Sequence, residues 1–231
     1  MKTELLFILA ALAAAPARAA DPAYVPAAQL HAELALPMPP AIDAERTRAE
    51  LAELHRIEAE RTPAQVARAQ ADEKDETLFV FRDVFGDGFT ADRLPRTAAL
   101  SARVRVQEDD ISAPLKSAFQ RVRPYNQDGT LHPVCKTKTK ADSYPSGHAL
   151  AGWLDALTLV DLAPEKREAI LARADAYARN RLVCGVHFAS DIEASKVLAY
   201  AVHAVMQGNP AYQQDVAAAR AELLEALGLK D

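Results

Sequence analysis

Residues 145–206 read PSGHALAGWLDALTLVDLAPEKREAILARADAYARNRLVCGVHFASDIEASKVLAYAVHAVM. Apolar residues recur there at helical spacing, and the stretch predicts helices from about Ser146 to Leu162, from Pro164 to about Leu182 and from Ser190 to Met206. Outside it alanine stays abundant, glycine is held to 8 residues and β-branched alternation is almost absent, so the chain reads as mainly helical. Asn209-Pro210 opens a last helix whose stripe of Tyr212, Val216, Leu223, Leu224 and Leu227 is core packing. Upstream, Asp43 is expected to cap a helix running to about Glu60. Thr62-Pro63-Ala64-Gln65 combines an N-cap, a proline at the first helical position and a capping-box glutamine, and starts another helix towards Lys74. FGDGFTADRLP breaks the pattern near residue 86; Val104, Ile111, Leu115 and Phe119 then mark helical segments leading to Arg121, and a loop follows from Pro124 to Pro145.

The first 19 residues are set apart. Lys2, the apolar run Leu5 to Ala15 and Ala17-Arg18-Ala19 are the basic, apolar and small-residue regions of a secretory signal peptide, and the run is too short to span a bilayer. Residues 20–231 then form one exported domain, periplasmic or secreted, whose segment 20–40, with Pro22, Pro26, Pro37, Pro39 and Pro40, is an extended arm lying on it. Removing Lys2, Arg18 and Glu4 takes away a net +1, so the formal charge of −5 becomes −6. That balance gives no basic surface for nucleic acid or anionic membrane, and no second apolar segment could cross a membrane. Cys135 and Cys184 are the only cysteines, and export favours a disulfide between them. Such a bridge ties the loop after Arg123-Pro124 to the segment before His187, and the chain-entropy model values it at roughly 4 kcal/mol.

Three clusters carry chemistry. Lys116, six residues, then Arg123-Pro124 pairs a point charge with a planar fork, which suits a tetrahedral oxyanion. Pro145-Ser146-Gly147-His148 precedes an apolar helix, so its N–H groups and the Ser146 hydroxyl can face an anion, and Gly147 lets backbone approach it. Asn180-Arg181, five residues, His187, three residues, Asp191 offers an imidazole with a carboxylate four positions on. If the helix begins early enough, the two share a face and Asp191 holds one ring nitrogen as N–H. Taken singly, the three are also what a solvated face, an ordinary turn and a structural His–Asp pair would give. A metal site is the less apt reading, because Lys116, Arg123 and Arg181 would repel a cation.

In this order, Lys-x6-Arg-Pro, Pro-Ser-Gly-His and Arg-x5-His-x3-Asp resemble the signature of the type 2 phosphatidic acid phosphatase superfamily, which also holds the vanadium haloperoxidases. The chain is most similar to the bacterial class A non-specific acid phosphatases, through LPMPPA at 36–41, SYPSGHALAGW at 143–153, VCGVHFASDIEASKV at 183–197 and NPAYQQDV at 209–216. The resemblance implies an all-α globule with the phosphate pocket between helices, no cofactor and no metal, and small-molecule phosphate monoesters as partners, with transfer to other alcohols and a homo-oligomer left open. It implies that His187 is the nucleophile that becomes a phosphohistidine, that Asp191 orients it, and that His148 is the general acid and then base. Lys116, Arg123, Ser146, Gly147 and Arg181 correspond to the phosphate cradle. The family has serine where this chain has Asn180, so a carboxamide is expected in place of one phosphate-contacting hydroxyl. A vanadium-dependent haloperoxidase and a catalytically weak phosphate-binding protein are the competing readings; the membrane-embedded lipid phosphatases are disfavoured for want of spanning helices.

Overall fold

The computed structural model describes residues 23–26 and 36–228. The expected signal peptide and most of the expected arm, residues 20–22 and 27–35, lie outside the described residues. Within them the chain is helical, without strands. The principal helices are α1 (Glu45–Glu60), α2 (Pro63–Asp72), α3 (Pro95–Phe119), α4 (Gly147–Leu162), α5 (Arg167–Val183), α6 (Ala189–Gln207) and α7 (Pro210–Leu227). No described helix is long and apolar enough to cross a membrane.

Local chemistry explains most of the boundaries. Thr62 and Gln65 form the reciprocal capping box at α2: the Gln65 N–H donates to Thr62 Oγ1 at 3.3 Å, and the Thr62 N–H to Gln65 Oε1 at 2.7 Å. Asn209 caps α7, accepting from the Ala211 and Tyr212 N–H groups at 2.8 and 3.3 Å. The expected cap at Asp43 is not formed. α1 instead starts after Ala44, whose extended backbone makes no side-chain cap, and the Asp43 carbonyl receives the Arg48 guanidinium. α2 stops at Asp72, two residues short of Lys74. The segments expected before Arg121 are one helix, α3, that carries Pro114 inside it and ends at Gln120 in the left-handed region. The long loop after it contains one helical turn, Pro124–Gln127.

α4 is the axis of the molecule. Apart from His148 and Asp161 its side chains are buried, and it packs against α3, α5, α6 and α7. Burial on every face is what an apolar run without a polar stripe requires. It meets α5 at close range: a Cβ placed on Gly152 would lie 2.4 Å from the Tyr177 ring, so only glycine lets the helices meet there. The arm's Tyr24 and Val25 are buried against this bundle. Tyr24 Oη donates to Asp215 at 2.7 Å, and the Gln107 amide pairs with both backbone groups of Val25 at 2.7 and 2.9 Å. Cys135 and Cys184 form a disulfide that ties the loop before α4 to the end of α5.

Candidate active site

The N-termini of α4 and α6, the end of α5 and the segment after α3 converge on one cavity of about 370 Å³. His187, Arg123, Arg181, Lys116, Gly147 and His148 form its floor and walls, with Glu73, Lys74, Lys136 and Lys138 at its margin.

His187 precedes α6 rather than lying on it, so it does not meet Asp191 by stacking along a helix face. Asp191 sits in the first turn of α6 and folds back: its Oδ2 accepts the Phe188 N–H at 2.9 Å and faces His187 Nδ1 at 3.2 Å. The same carboxylate accepts Ser143 Oγ at 2.6 Å and, through Oδ1, Arg121 at 2.6 Å. Arg121 is in turn held by Ser190 at 2.6 Å and Glu50 at 2.9 Å. With a carboxylate on the other side, Nδ1 carries the proton and Nε2 is left as the basic nitrogen. Burial lowers the His187 imidazole well below its ordinary range, and Arg123, Arg181 and Lys116 push it the same way. Burial also raises the Asp191 carboxyl, to about 6, against the pull of Arg121, Ser143 and the Phe188 N–H. The ring is therefore neutral on an anionic support, an arrangement that leaves Nε2 able to act as a nucleophile.

The cations around Nε2 are fixed by their own partners. Arg123 Nε donates to Asp142 at 2.6 Å, while Nη1 donates to the Val186 carbonyl at 3.0 Å and faces His187 Nε2 at 3.2 Å. Lys116 stands over Gly147, where a Cβ would come within 3.1 Å of its ammonium and 2.7 Å of Glu108 Oε1. That crowding accounts for glycine at the start of α4. Arg181 is 4% exposed, lies 3.6 Å from Glu73, and its Nε has no hydrogen-bond partner. A buried, unsatisfied guanidinium N–H at the wall of a cavity is a donor awaiting an anion. The N–H groups that open α4 add the helix dipole to this field. Ser146 is buried one layer behind, where its Oγ accepts the Ala149 N–H at 3.4 Å as the α4 cap and its own N–H donates to the Asp191 carbonyl at 3.3 Å.

His148 faces this floor with both ring nitrogens engaged: Nδ1 lies 2.7 Å from Glu76 Oε1 and Nε2 lies 2.9 Å from the Glu73 carbonyl. Two acceptors are satisfied together only by a ring protonated on both nitrogens. Burial acts to raise Glu76, but His148, Arg105 and Arg181 outweigh it and bring the carboxyl down to about 2.

Asn180 is not brought to this cavity. One residue along a helix is a rotation of about 100°, so while Arg181 faces the cavity, Asn180 faces α2 and donates to Asp72 at 2.7 Å. It lines a larger surface pocket of about 480 Å³ between α1, α2 and α5, which holds no histidine. Glu76, Glu73, Arg121, Glu50 and Ser143 were not legible as site residues. Glu50, Glu73, Glu76 and Arg121 come from distant segments that no short spacing links to the histidines, and Ser143, five positions before His148, has a residue type that does not set it apart from an ordinary turn serine.

Residues 104–214 match the PAP2 superfamily, a segment containing the cavity's floor from Lys116 to His187. Among curated relatives, a non-specific acid phosphatase of Providencia stuartii is 31% identical over 62% of this chain and 59% of its own length. An acid phosphatase of Zymomonas mobilis is 36% identical over 58% of this chain and 52% of its own. The chain thus spans somewhat over half the length of these relatives; against a non-specific acid phosphatase of Salmonella typhi the match is 27% over 95% of this chain and 91% of that one. The fold is similar to that of a transmembrane PAP2-type phosphatidylglycerolphosphate phosphatase from Bacillus subtilis, with a TM-score of 0.53 and 18% identity over 79% of this chain and 90% of that one. The cavity's two histidines, two arginines and Lys116 all lie inside residues 104–214, which form a PAP2 superfamily domain, and the chain's relatives are bacterial acid phosphatases.

Proposed function

We propose that the chain is an exported phosphatase that hydrolyses phosphate monoesters through a phosphohistidine on His187, with its side chains supplying the positive charge that a metal supplies elsewhere. The observation that carries this is the setting of His187: a neutral ring, its Nδ1 held at 3.2 Å by Asp191, with Nε2 at the floor of a cavity walled by Arg123, Lys116 and Arg181. In the first step Nε2 attacks phosphorus and the P–O bond to the alcohol breaks. His148, exchanging the Glu73 carbonyl at Nε2 for the leaving oxygen while Glu76 keeps Nδ1, passes a proton to the departing alkoxide, and Asp191 stabilises the charge that appears on the His187 ring. In the second step water attacks the phosphorus, His148 takes the water's proton, and the N–P bond breaks to regenerate His187. Lys116, Arg123, Arg181 and the N–H groups opening α4 hold the three equatorial oxygens in both steps. Export agrees with the Cys135–Cys184 disulfide, and the mature N-terminus is expected after residue 19.

The test is acid-quenched turnover of p-nitrophenyl phosphate by the mature chain. A ³¹P phosphohistidine signal should appear in the wild type and be absent from His187→Ala, which should also lose turnover. Activity should survive EDTA and be inhibited by vanadate. A His187→Ala variant that keeps most of its rate, or activity lost to EDTA and restored by a divalent metal, overturns the mechanism. Bromination by vanadate and peroxide without esterase activity would replace it with the haloperoxidase reading.

A further inference from the structure

The cradle for one phosphate does not account for the cations at the cavity margin. Lys74, Lys136 and Lys138 line the cavity in addition to Lys116, Arg123 and Arg181, in a chain whose formal charge is −5. All three are exposed. Lys138 Nζ lies 3.8 Å from Asp142, a loose contact to a carboxylate that Arg123 already holds at 2.6 Å. Among the described residues the ammonium groups of Lys74 and Lys136 have no carboxylate within ion-pair distance. Glu73, the acidic residue on the lining, is turned to the Lys136 N–H at 2.9 Å and towards Arg181 at 3.6 Å.

Lysines on a surface are usually a solvated face; the loop that carries Lys136 and Lys138 is held in place. Cys135 is bonded to Cys184, the Lys136 N–H donates to Glu73, and the Lys138 N–H donates to Tyr125 Oη at 2.6 Å. The Lys138 carbonyl accepts Tyr125 Oη at 3.0 Å and Asn126 Nδ2 at 2.9 Å. The sequence there is CKTKTK, residues 135–140. In extended backbone alternate residues face one side, and Lys136 and Lys138 both line the cavity while the intervening Thr137 does not. Lys74, just beyond α2, closes the same margin.

We infer that Lys74, Lys136 and Lys138 form a second anion subsite, and that the preferred substrates are small phosphate monoesters whose alcohol carries a second phosphate. This rests on the phosphatase reading: the first phosphate takes the His187 cradle, and the second lies on the leaving-group side, at the margin. Each exposed lysine should contribute roughly two- to five-fold in binding at low salt, and the contribution should shrink as ionic strength rises.

Two arms test this. In the first, kcat/KM is compared for a sugar bisphosphate and the monophosphate of the same sugar, in the wild type, Lys74→Ala and the Lys136→Ala/Lys138→Ala double variant. The bisphosphate should be favoured about ten-fold or more at low salt. The double variant should lose most of that preference through KM and leave p-nitrophenyl phosphate turnover unchanged. Equal losses on both sugars, or none, overturn the subsite. The second arm needs no turnover: calorimetric binding of alkane bisphosphonates with one to four methylenes against methylphosphonate. Tighter binding of at least one bisphosphonate, beyond the two-fold statistical advantage and abolished in the double variant, supports the subsite even if no ester is hydrolysed. Failure there overturns it, whereas an inactive wild type that binds in this way overturns only the phosphatase reading.

Discussion

Glu76 lies 2.7 Å from His148 Nδ1, and the Glu73 carbonyl lies 2.9 Å from Nε2, so the proposed acid sits between two acceptors. Glu76→Gln keeps an oxygen beside Nδ1 but removes the carboxylate that holds the ring. The rate should fall roughly ten-fold or more for alkyl phosphates, whose leaving oxygen needs a proton, and little for p-nitrophenyl phosphate. Equal losses on both esters would mean that Glu76 is only structural. Asn180 gives the opposite expectation. Its amide bonds to Asp72, which also holds both Arg173 Nη groups at 3.0 and 2.7 Å. Asn180→Ala should therefore cost about 1 kcal/mol of stability and leave kcat/KM within two-fold, as chemical denaturation and steady-state kinetics would show. Motif spacing singled out both histidines, Lys116, Arg123, Arg181 and Asp191, because backbone direction fixes neighbours a few residues apart. It could not find Glu76, 72 positions before His148, nor tell Asn180 from Arg181, since facing is decided by what the helix packs on.

Helix ends with a chemical signature were legible in sequence; ends decided by packing were not. The Thr62–Gln65 box and the Asn209 cap form as their residue types require. Asp43, of an equally suitable type, does not cap, because α1 begins one residue past Ala44. What the apolar pattern of α4 did not disclose is its contact with α5. A Cβ on Gly152 would meet three atoms of the Tyr177 ring between 2.4 and 3.3 Å, and that ring cannot swing aside, because its hydroxyl donates to the Asp75 carbonyl at 2.7 Å. Alanine is the better helix former, yet here overpacking should outweigh propensity. Gly152→Ala is expected to lower stability by roughly 1 to 3 kcal/mol. For a chain of this size that is a fall in Tm of several degrees, since each kcal/mol is worth about 2–4 °C. A Tm equal to or above the wild type's would show that the helices can separate without loss.

Across the whole molecule, an acidic chain encloses a cationic cavity, and this sets how the proposed phosphatase should respond to pH. The proposed route needs a free electron pair on His187 Nε2 and a proton on His148, so kcat/KM should be bell-shaped. Protonating His187 would place a cation beside Arg123, Arg181 and Lys116 in a buried site, which is why its pKa lies well below the ordinary imidazole range. Asp191 shifts the other way, to about 6, and because the two share a hydrogen bond the acid limb belongs to the pair. For stability the signs oppose. The unfolded chain binds the His187 proton more readily, so that group destabilises the fold as pH drops below 6.5. Asp191 binds its proton more tightly when folded, so its contribution falls as pH rises from about 4 to about 6. For turnover the consequence has one sign: activity persists to pH values at which an ordinary histidine nucleophile would already be protonated. The acid limb of kcat, measured with saturating p-nitrophenyl phosphate at constant ionic strength, should therefore fall at or below about pH 6. Asp191→Asn, which cannot titrate, should move that limb further down while lowering kcat. A limb at 6.5 or above in the wild type would mean that the cations around His187 do not hold it neutral, and the electrostatic basis of the nucleophile would fail.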